Sequence, residues 1–245
     1  MSKQRVALVT GSATGVGRAV AVRFAKRGYA VAVNYSRSVA AAEDILSVIE
    51  ELDVPAILCQ ANVGDDAQVR AMVERCRAEL GGLDVLVNNA ATTHFISHTD
   101  LDAVTDEVWD EIFQVNVKGA FYASRAAMPL LTERSGCIVN VSSVAGLQGH
   151  GSSIPYAASK AALNSLTKSL ARAFAPQVRV NAVAPGPILT RWLLGHEDHV
   201  EKAVAQTPLK RAATPDDVAD VVEFLAAGTS LMTGQVVVAD GGRTI

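Results

Sequence analysis

The stretch "SSIPYAASKAALNSL", residues 152–166, sets Tyr156 and Lys160 four positions apart. On a helix that spacing puts both side chains on one face. A free phenol titrates at about 10 and a free amine at about 10.4, so neither alone serves acid–base chemistry near neutrality. Side by side, the ammonium favours phenolate and is expected to pull the tyrosine pKa down. The result is a proton donor and acceptor poised nearer the working pH. The same pair also suits an ordinary amphipathic helix, with a half-exposed tyrosine and a solvated lysine. The pair alone does not choose between these readings.

The elements that must position such a pair are legible along the chain. Short β-branched runs at 5–11, 30–35, 54–60, 83–90, 136–143, 178–186 and 234–242 read as strands. Most are continuously apolar, as parallel strands covered on both faces should be. Helical patterns fall between them at about 15–28, 38–52, 65–80, 105–131, 155–175 and 215–227. This alternation predicts an α/β fold: a doubly wound parallel seven-stranded sheet with helices on both faces and right-handed crossovers. No linker, repeat or shift in composition divides the 245 residues, so one domain over 1–245 is expected. Two irregular stretches, 91–104 and 186–213, follow strands, at the edge where open sheets bind ligands.

Composition narrows the function. The net charge of −3 and the lack of a basic run argue against a nucleic-acid partner. "MSKQRVALVTG" is expected to enter a strand at once, which argues against a signal peptide, and no apolar run approaches a membrane span. A cytoplasmic protein is expected. Cys59, Cys76 and Cys137, odd in number and in or beside apolar segments, read as free buried thiols. His94, His98, His150, His196 and His199 are scattered over loops, and no metal site is expected.

"VTGSATGVGRAV" joins the first strand to the first helix, with Gly11, Gly15 and Gly17 in the turn. Glycines there permit positive φ and a close approach of backbone to phosphate. The helix N-terminus adds free N–H groups and partial positive charge. A tight turn without a ligand is the competing reading.

T-G-x-x-x-G-x-G at 10–17, "NNAA" at 88–91, Asn116, "NVSSVAG" and Y-x-x-x-K at 156–160 occur together and in order. This set resembles the short-chain dehydrogenase/reductase family in its compact form. The likeness runs from "VALVTG" to "TGQVVVADGG" and is strongest to the 3-oxoacyl-acyl-carrier-protein reductase and related bacterial carbonyl reductase branch. The resemblance implies a Rossmann-type nucleotide-binding fold and an oxidoreductase exchanging hydride between a nicotinamide and a carbonyl or secondary alcohol.

The family's roles carry over residue by residue. Tyr156 matches the proton donor and Lys160 its partner, which also holds the nicotinamide ribose. Ser143 matches the serine that binds the substrate oxygen, with Ser142 the lesser candidate. Asn116 matches a helix asparagine that helps to hold a water in the proton relay. Gly11, Thr14, Gly15, Val16 and Gly17 match the pyrophosphate turn. Asn88 is expected to brace the sheet end and Ala90 to lie beside the adenosine ribose, with Asn89 and Ala91 also at the cofactor and Ala91 in place of the commoner glycine. Asn62 and Val63 fall at the adenine, where relatives usually carry Asp-Val. Pro185, Gly186, Ile188 and Thr190 match the segment that fastens the nicotinamide carboxamide.

Cofactor choice turns on the end of the second strand. An NAD site places a carboxylate there for the ribose 2′-OH. Here the strand ends "VNYSRS", with Tyr35 at the acid's place and Ser36 and Arg37 after it. Arg37 suits a 2′-phosphate, although Thr14 stands where many NADP users carry a second basic residue. NADP(H) is expected over NAD(H). The resemblance also implies a homotetramer, with a dimer as the alternative.

Thr92–His98, Ala145–Ser153 and Trp192–Leu194 are expected to wall the substrate side, with 186–213 as a lid over it. The competing reading packs Trp192 on the core or on another subunit. An acyl-carrier-protein partner would need a basic surface to which Arg134 could contribute, but "FAPQVRVN" lacks a basic residue where its helix ends. A nucleotide-sensing regulator of the same fold, without turnover, is the alternative function, against which the intact Ser143–Tyr156–Lys160 set argues.

Overall fold

The computed structural model describes residues 4–190, 204–205 and 207–245. Seven parallel strands form one sheet: β1 Val6–Val9, β2 Ala30–Tyr35, β3 Ala56–Gln60, β4 Val85–Asn88, β5 Cys137–Val141, β6 Arg179–Pro185 and β7 Val236–Ala239. Their order is β3-β2-β1-β4-β5-β6-β7. The winding reverses between β1 and β4, which opens a crevice beyond their carboxyl ends. All seven strands lie within the runs read from the sequence.

The helices fully within the described residues include α1 Gly15–Lys26, α2 Val39–Glu50, α3 Asp66–Leu80, α4 Asp106–Phe113, α5 Ala120–Glu133, α6 Ala145–Gln148, α7 Ile154–Phe174 and α8 Pro215–Glu223. Alternate strand residues feed opposite cores, as the two-residue period requires. Ala7 and Val9 pack with Val20 and Phe24 of α1, Ile45 of α2 and Val222 of α8. Val6 and Leu8 pack with Met72 of α3, Leu131 of α5 and Leu170 of α7. No described helix is long and apolar enough to cross a membrane.

Local chemistry fixes the helix ends. Asp65 caps α3 by accepting from the Ala67 and Gln68 N–H groups, and Gly81 closes it at φ +81°. Thr214 and Asp217 form a capping box ahead of α8, with Pro215 in its first turn. Ser153 caps α7 by accepting from Tyr156 N. This cap sets the first turn of the helix that carries Tyr156 and Lys160.

The pattern at 105–131 predicts one helix. The chain is helical throughout that region, but Gln114–Gly119 adopts a π-helical turn between α4 and α5. Such turns hold an extra residue and cluster at functional sites. Asn116 lies within it. The short α6 was not legible as a helix.

Candidate active site

The turn after β1 is built for close approach. Gly11 and Gly15 have φ of +62° and +57°, a region closed to most side chains. A Cβ on Gly17 would stand 2.5 Å from both the Gly11 carbonyl oxygen and Asn89 Nδ2. Asn34, outside the glycine motif, and Thr10, its first residue, hold the turn in place. Asn34 Oδ1 accepts from Gly11 N at 3.0 Å, while its Nδ2 donates to the Cys59 and Ala61 carbonyls. Thr10 Oγ1 accepts from Asn89 N and Ala90 N at 2.9 and 3.0 Å. Asn89 Nδ2 donates back to the Thr10 and Gly11 carbonyls. The brace by Asn34 and Thr10 was missed in the sequence. Its one signal is a polar residue inside an apolar strand run.

Asn88 ties β4 to its neighbours, as expected of it, donating to Ser124 Oγ at 3.1 Å and to Asn140 Oδ1 at 2.8 Å. The sequence-predicted site residues line one cleft of about 1300 Å³, except Gly17, behind the turn, and Asn116, buried behind the wall. Tyr35, Ser36 and Arg37 close one end. Arg37 is exposed, and its guanidinium has no partner among the described residues. Asn62 Oδ1 already accepts from Gly64 N at 3.0 Å, which leaves that oxygen one lone pair for a ligand. Ile188 bridges to Ala213, and Leu189 N donates to the Ala213 carbonyl, so the segment after β6 is anchored. Thr190 reaches within 3.6 Å of where a Gly15 Cβ would be.

The features that a dinucleotide needs are therefore present in the protein itself. A Cβ-free cradle sits at a helix N-terminus, and a guanidinium without a partner among the described residues stands at the end of β2. Glu111 is the only carboxylate among the described lining residues, and it belongs to α4 rather than to the β2 end.

At the other end, Tyr156 and Ser143 line the cleft together, and Ser143 Oγ accepts from Ala145 N at 3.1 Å. Ser142 is spent elsewhere: its hydroxyl donates to Asn164 Oδ1 at 2.6 Å. Lys160 Nζ donates to the Val141 carbonyl at 2.9 Å and lies 5.6 Å from the Tyr156 ring centre. Asn116 commits its amide to Thr92 N, Thr92 O and Ser159 Oγ at 2.8, 3.0 and 3.0 Å. Ser159 Oγ in turn donates to the Tyr156 carbonyl at 2.7 Å. The π turn thus pins the loop after β4 to the helix that carries the tyrosine.

The expected lowering of the tyrosine pKa by Lys160 is not what this arrangement produces. Burial pushes the Tyr156 phenol up to about 12, with the neighbouring Ser143 hydroxyl opposing it. Burial also pulls the Lys160 ammonium down to about 8. Loss of hydration penalises the charged form of each group, and it is the largest cause of both shifts.

These shifts have opposite effects on stability. The folded protein releases the Lys160 proton at about 8, against 10.5 for the ordinary amine. Between those values the unfolded chain binds more protons, so stability rises with pH. Tyr156 keeps its proton in the folded state from 10 to about 12, so stability falls over that range. Lys160→Met removes the first effect. From pH 7 to pH 9.5 wild type should gain on the order of 1–2 kcal/mol relative to Lys160→Met. Urea melts of both proteins at the two pH values measure it, and parallel stabilities would refute it.

The substrate side is more polar than a simple acyl tunnel. Thr93 Oγ1 and Ser152 Oγ meet at 2.5 Å, and Ile96 N donates to the Ser152 carbonyl at 2.8 Å. His94 Nε2 pairs with Glu111 at 2.8 Å. Phe95, His98, Gln148 and His150 also face the cleft. The expected wall at Trp192–Leu194, most of the expected lid, and His196 and His199 lie outside the described residues. Arg134 is not a docking residue. Its side chain is 5% exposed, paired with Asp84 and hydrogen-bonded to the Gln4 and Gly81 carbonyls, so it fastens the far end of the sheet.

Comparison with known proteins gives this geometry its context. A family model described as Enoyl-(Acyl carrier protein) reductase matches residues 11–244. A Streptomyces violaceoruber protein, whose name assigns it to the granaticin polyketide synthase as ketoacyl reductase 2, is 45% identical over 97% of this chain and 95% of its own. The 3-oxoacyl-[acyl-carrier-protein] reductase FabG of Staphylococcus aureus (strain Mu50) is 39% identical over 99% of each chain. A solved structure from Burkholderia xenovorans, named for the short-chain dehydrogenases/reductases, superposes with a TM-score of 0.93 at 39% identity, covering 99% of each chain. The chain therefore belongs to the short-chain dehydrogenase/reductase family, oxidoreductases that interconvert C–OH and C=O centres with a nicotinamide cofactor.

Proposed function

We propose that the protein is an NADPH-dependent carbonyl reductase, with Ser143, Tyr156, Lys160 and Asn116 as its working residues. The observation that carries this reading is the convergence of Ser143 and Tyr156 above a buried Lys160, in one cleft with the glycine cradle and Arg37. When bound, the nicotinamide supplies the hydride to the carbonyl carbon. Ser143 and Tyr156 donate hydrogen bonds to the carbonyl oxygen as charge grows there, and Tyr156 delivers its proton. A phenol held protonated at neutral pH is in the correct state to donate. Lys160 places positive charge beside it and lowers the cost of the phenolate left behind. Asn116 acts through position, by fixing Thr92 and Ser159. Gly11, Gly15 and Gly17 with the α1 N-terminus would hold the pyrophosphate, and Arg37 the 2′-phosphate.

Names of relatives point to 3-oxoacyl groups on acyl carrier protein, so a 3-oxoacyl thioester belongs among the test substrates. Purified protein should consume NADPH, followed by its absorbance, with some member of a panel of ketones, aldehydes and acetoacetyl thioesters. Failure with every member would refute the reading.

The same reading makes the protein a homotetramer. Phe121, Met128 and Pro129 of α5 and Leu170 and Phe174 of α7 line an apolar groove of about 520 Å³. Phe121 is 39% exposed at its edge. Pairing α5 and α7 with the same helices of a second copy would cover it. Light scattering should show a tetramer for wild type and a smaller species for Phe121→Glu. A monomeric wild type would overturn this assembly.

A further inference from the structure

We propose that Arg243 forms an oxyanion-binding subsite at the substrate end of the cleft, and that the preferred substrates are small oxo acids bearing a carboxylate near the carbonyl. This rests on the carbonyl-reductase reading and narrows its substrate class.

Four charged side chains line the cleft among the described residues: Arg37, Glu111, Lys160 and Arg243. Arg37 belongs to the nucleotide end. Glu111 is paired with His94. Lys160 is buried beneath Tyr156 with its Nζ on the Val141 carbonyl. Arg243 alone is left uncompensated on the reaction side, with no hydrogen bond or ion pair from its side chain among the described residues. The nearest acid in sequence, Asp240, is already engaged. Its two oxygens accept from Gly242 N at 2.8 Å and Thr244 N at 2.9 Å.

The turn that carries Arg243 is well supported. Gly241 and Gly242 have φ of +69° and +87°, and Cβ atoms there would meet Thr207 at 2.7 Å and Pro208 at 3.0 Å. Leu209 N donates to the Gly241 carbonyl. On its other side, a Cβ at Gly186 would lie 3.1 Å from Asp240 Cβ. Val144, next to Ser143, donates its N–H to the Pro185 carbonyl at 3.0 Å. The tips of β5, β6 and β7 are thus neighbours, and two strand spacings make about 10 Å from Ser143's backbone to the Arg243 turn. An arginine side chain and an acid of a few carbons together span that gap. A guanidinium takes a carboxylate through two parallel hydrogen bonds, which fixes the direction of the carbonyl as well as binding the acid.

The test compares 3-oxobutanoate and 4-oxopentanoate with their methyl esters, for wild type and Arg243→Gln. Wild type should favour the free acids by about tenfold or more in kcat/KM. Arg243→Gln should lose roughly 10- to 100-fold on the acids, mainly through KM, while turnover of the esters and NADPH affinity by fluorescence titration stay unchanged. Equal use of acid and ester by wild type, or an equal loss on both in the variant, would overturn the subsite. Weakened NADPH binding in the variant would overturn it too, by assigning Arg243 to the cofactor. Calorimetry with pentanoate, which cannot be reduced, reads the subsite apart from catalysis. Binding to wild type but not to Arg243→Gln supports it, and no binding to wild type refutes it. If neither acids nor esters turn over, the carbonyl-reductase reading fails while the pentanoate result still decides the subsite.

Discussion

Tyr156→Phe should lower kcat by on the order of 10²-fold or more, with NADPH affinity nearly unchanged. The phenol is the group assigned to deliver the proton. Its hydroxyl contacts Ser143 in the cleft, and nothing in the glycine cradle depends on it. The ring that remains still fills the same space, so the variant should fold like wild type. The two measurements divide cleanly: single-turnover kinetics follow the chemical step, and fluorescence titration follows the nucleotide. Turnover within a few-fold of wild type would remove Tyr156 from the mechanism. A parallel loss of NADPH affinity would mean that the substitution had disturbed the cleft as a whole.

Arg37→Ala should shift cofactor preference toward NADH by about 10- to 150-fold in the ratio of kcat/KM values. A charge-assisted hydrogen bond pair to the 2′-phosphate contributes roughly 1.5–3 kcal/mol, and that range converts to this factor. Arg37 is exposed, and its guanidinium holds no internal ion pair among the described residues, so the variant should leave stability alone. Loss should fall on NADPH, with NADH little affected, because NADH has no phosphate for the arginine to meet. The contact is partly screened, so the preference of wild type should also weaken as salt is raised. A wild-type preference for NADH, or an unchanged ratio in the variant, refutes the assignment.

The sequence was most readable where structure depends on neighbours along the chain. Buried parallel strands favour apolar, β-branched-rich runs, and most of the seven declared themselves that way. Glycines that must approach a ligand leave a recognisable spacing, and the Tyr156–Lys160 interval predicts a shared helix face. What stayed hidden depends on partners distant in sequence. Asn34 reads as one polar interruption of β2 until Gly11, Cys59 and Ala61 converge on it. Arg134 looks like a surface charge until Asp84 and the Gly81 carbonyl enclose it. The direction of the Tyr156 shift was misjudged for the same reason. The proximity of a lysine is visible in sequence, whereas the desolvation that sets the shift belongs to the folded cleft.

The π turn at Gln114–Gly119 has a bearing on how this family of folds can lose or gain residues. Each residue of an α-helix advances the side chains by about 100° around the axis. The extra residue held in the turn therefore sets the rotational phase of α5 relative to α4. With that phase, Ala123, Ala127 and Leu131 face the sheet while Ile112 is buried about three turns earlier. Deleting one residue from 114–119 would make the helix regular and roll the whole of α5 by about a quarter turn, swinging its core residues off the sheet. A deletion of the same size in an exposed loop rotates nothing. The packing of α5 thus constrains the length of this segment, although no single side chain in it accounts for the constraint.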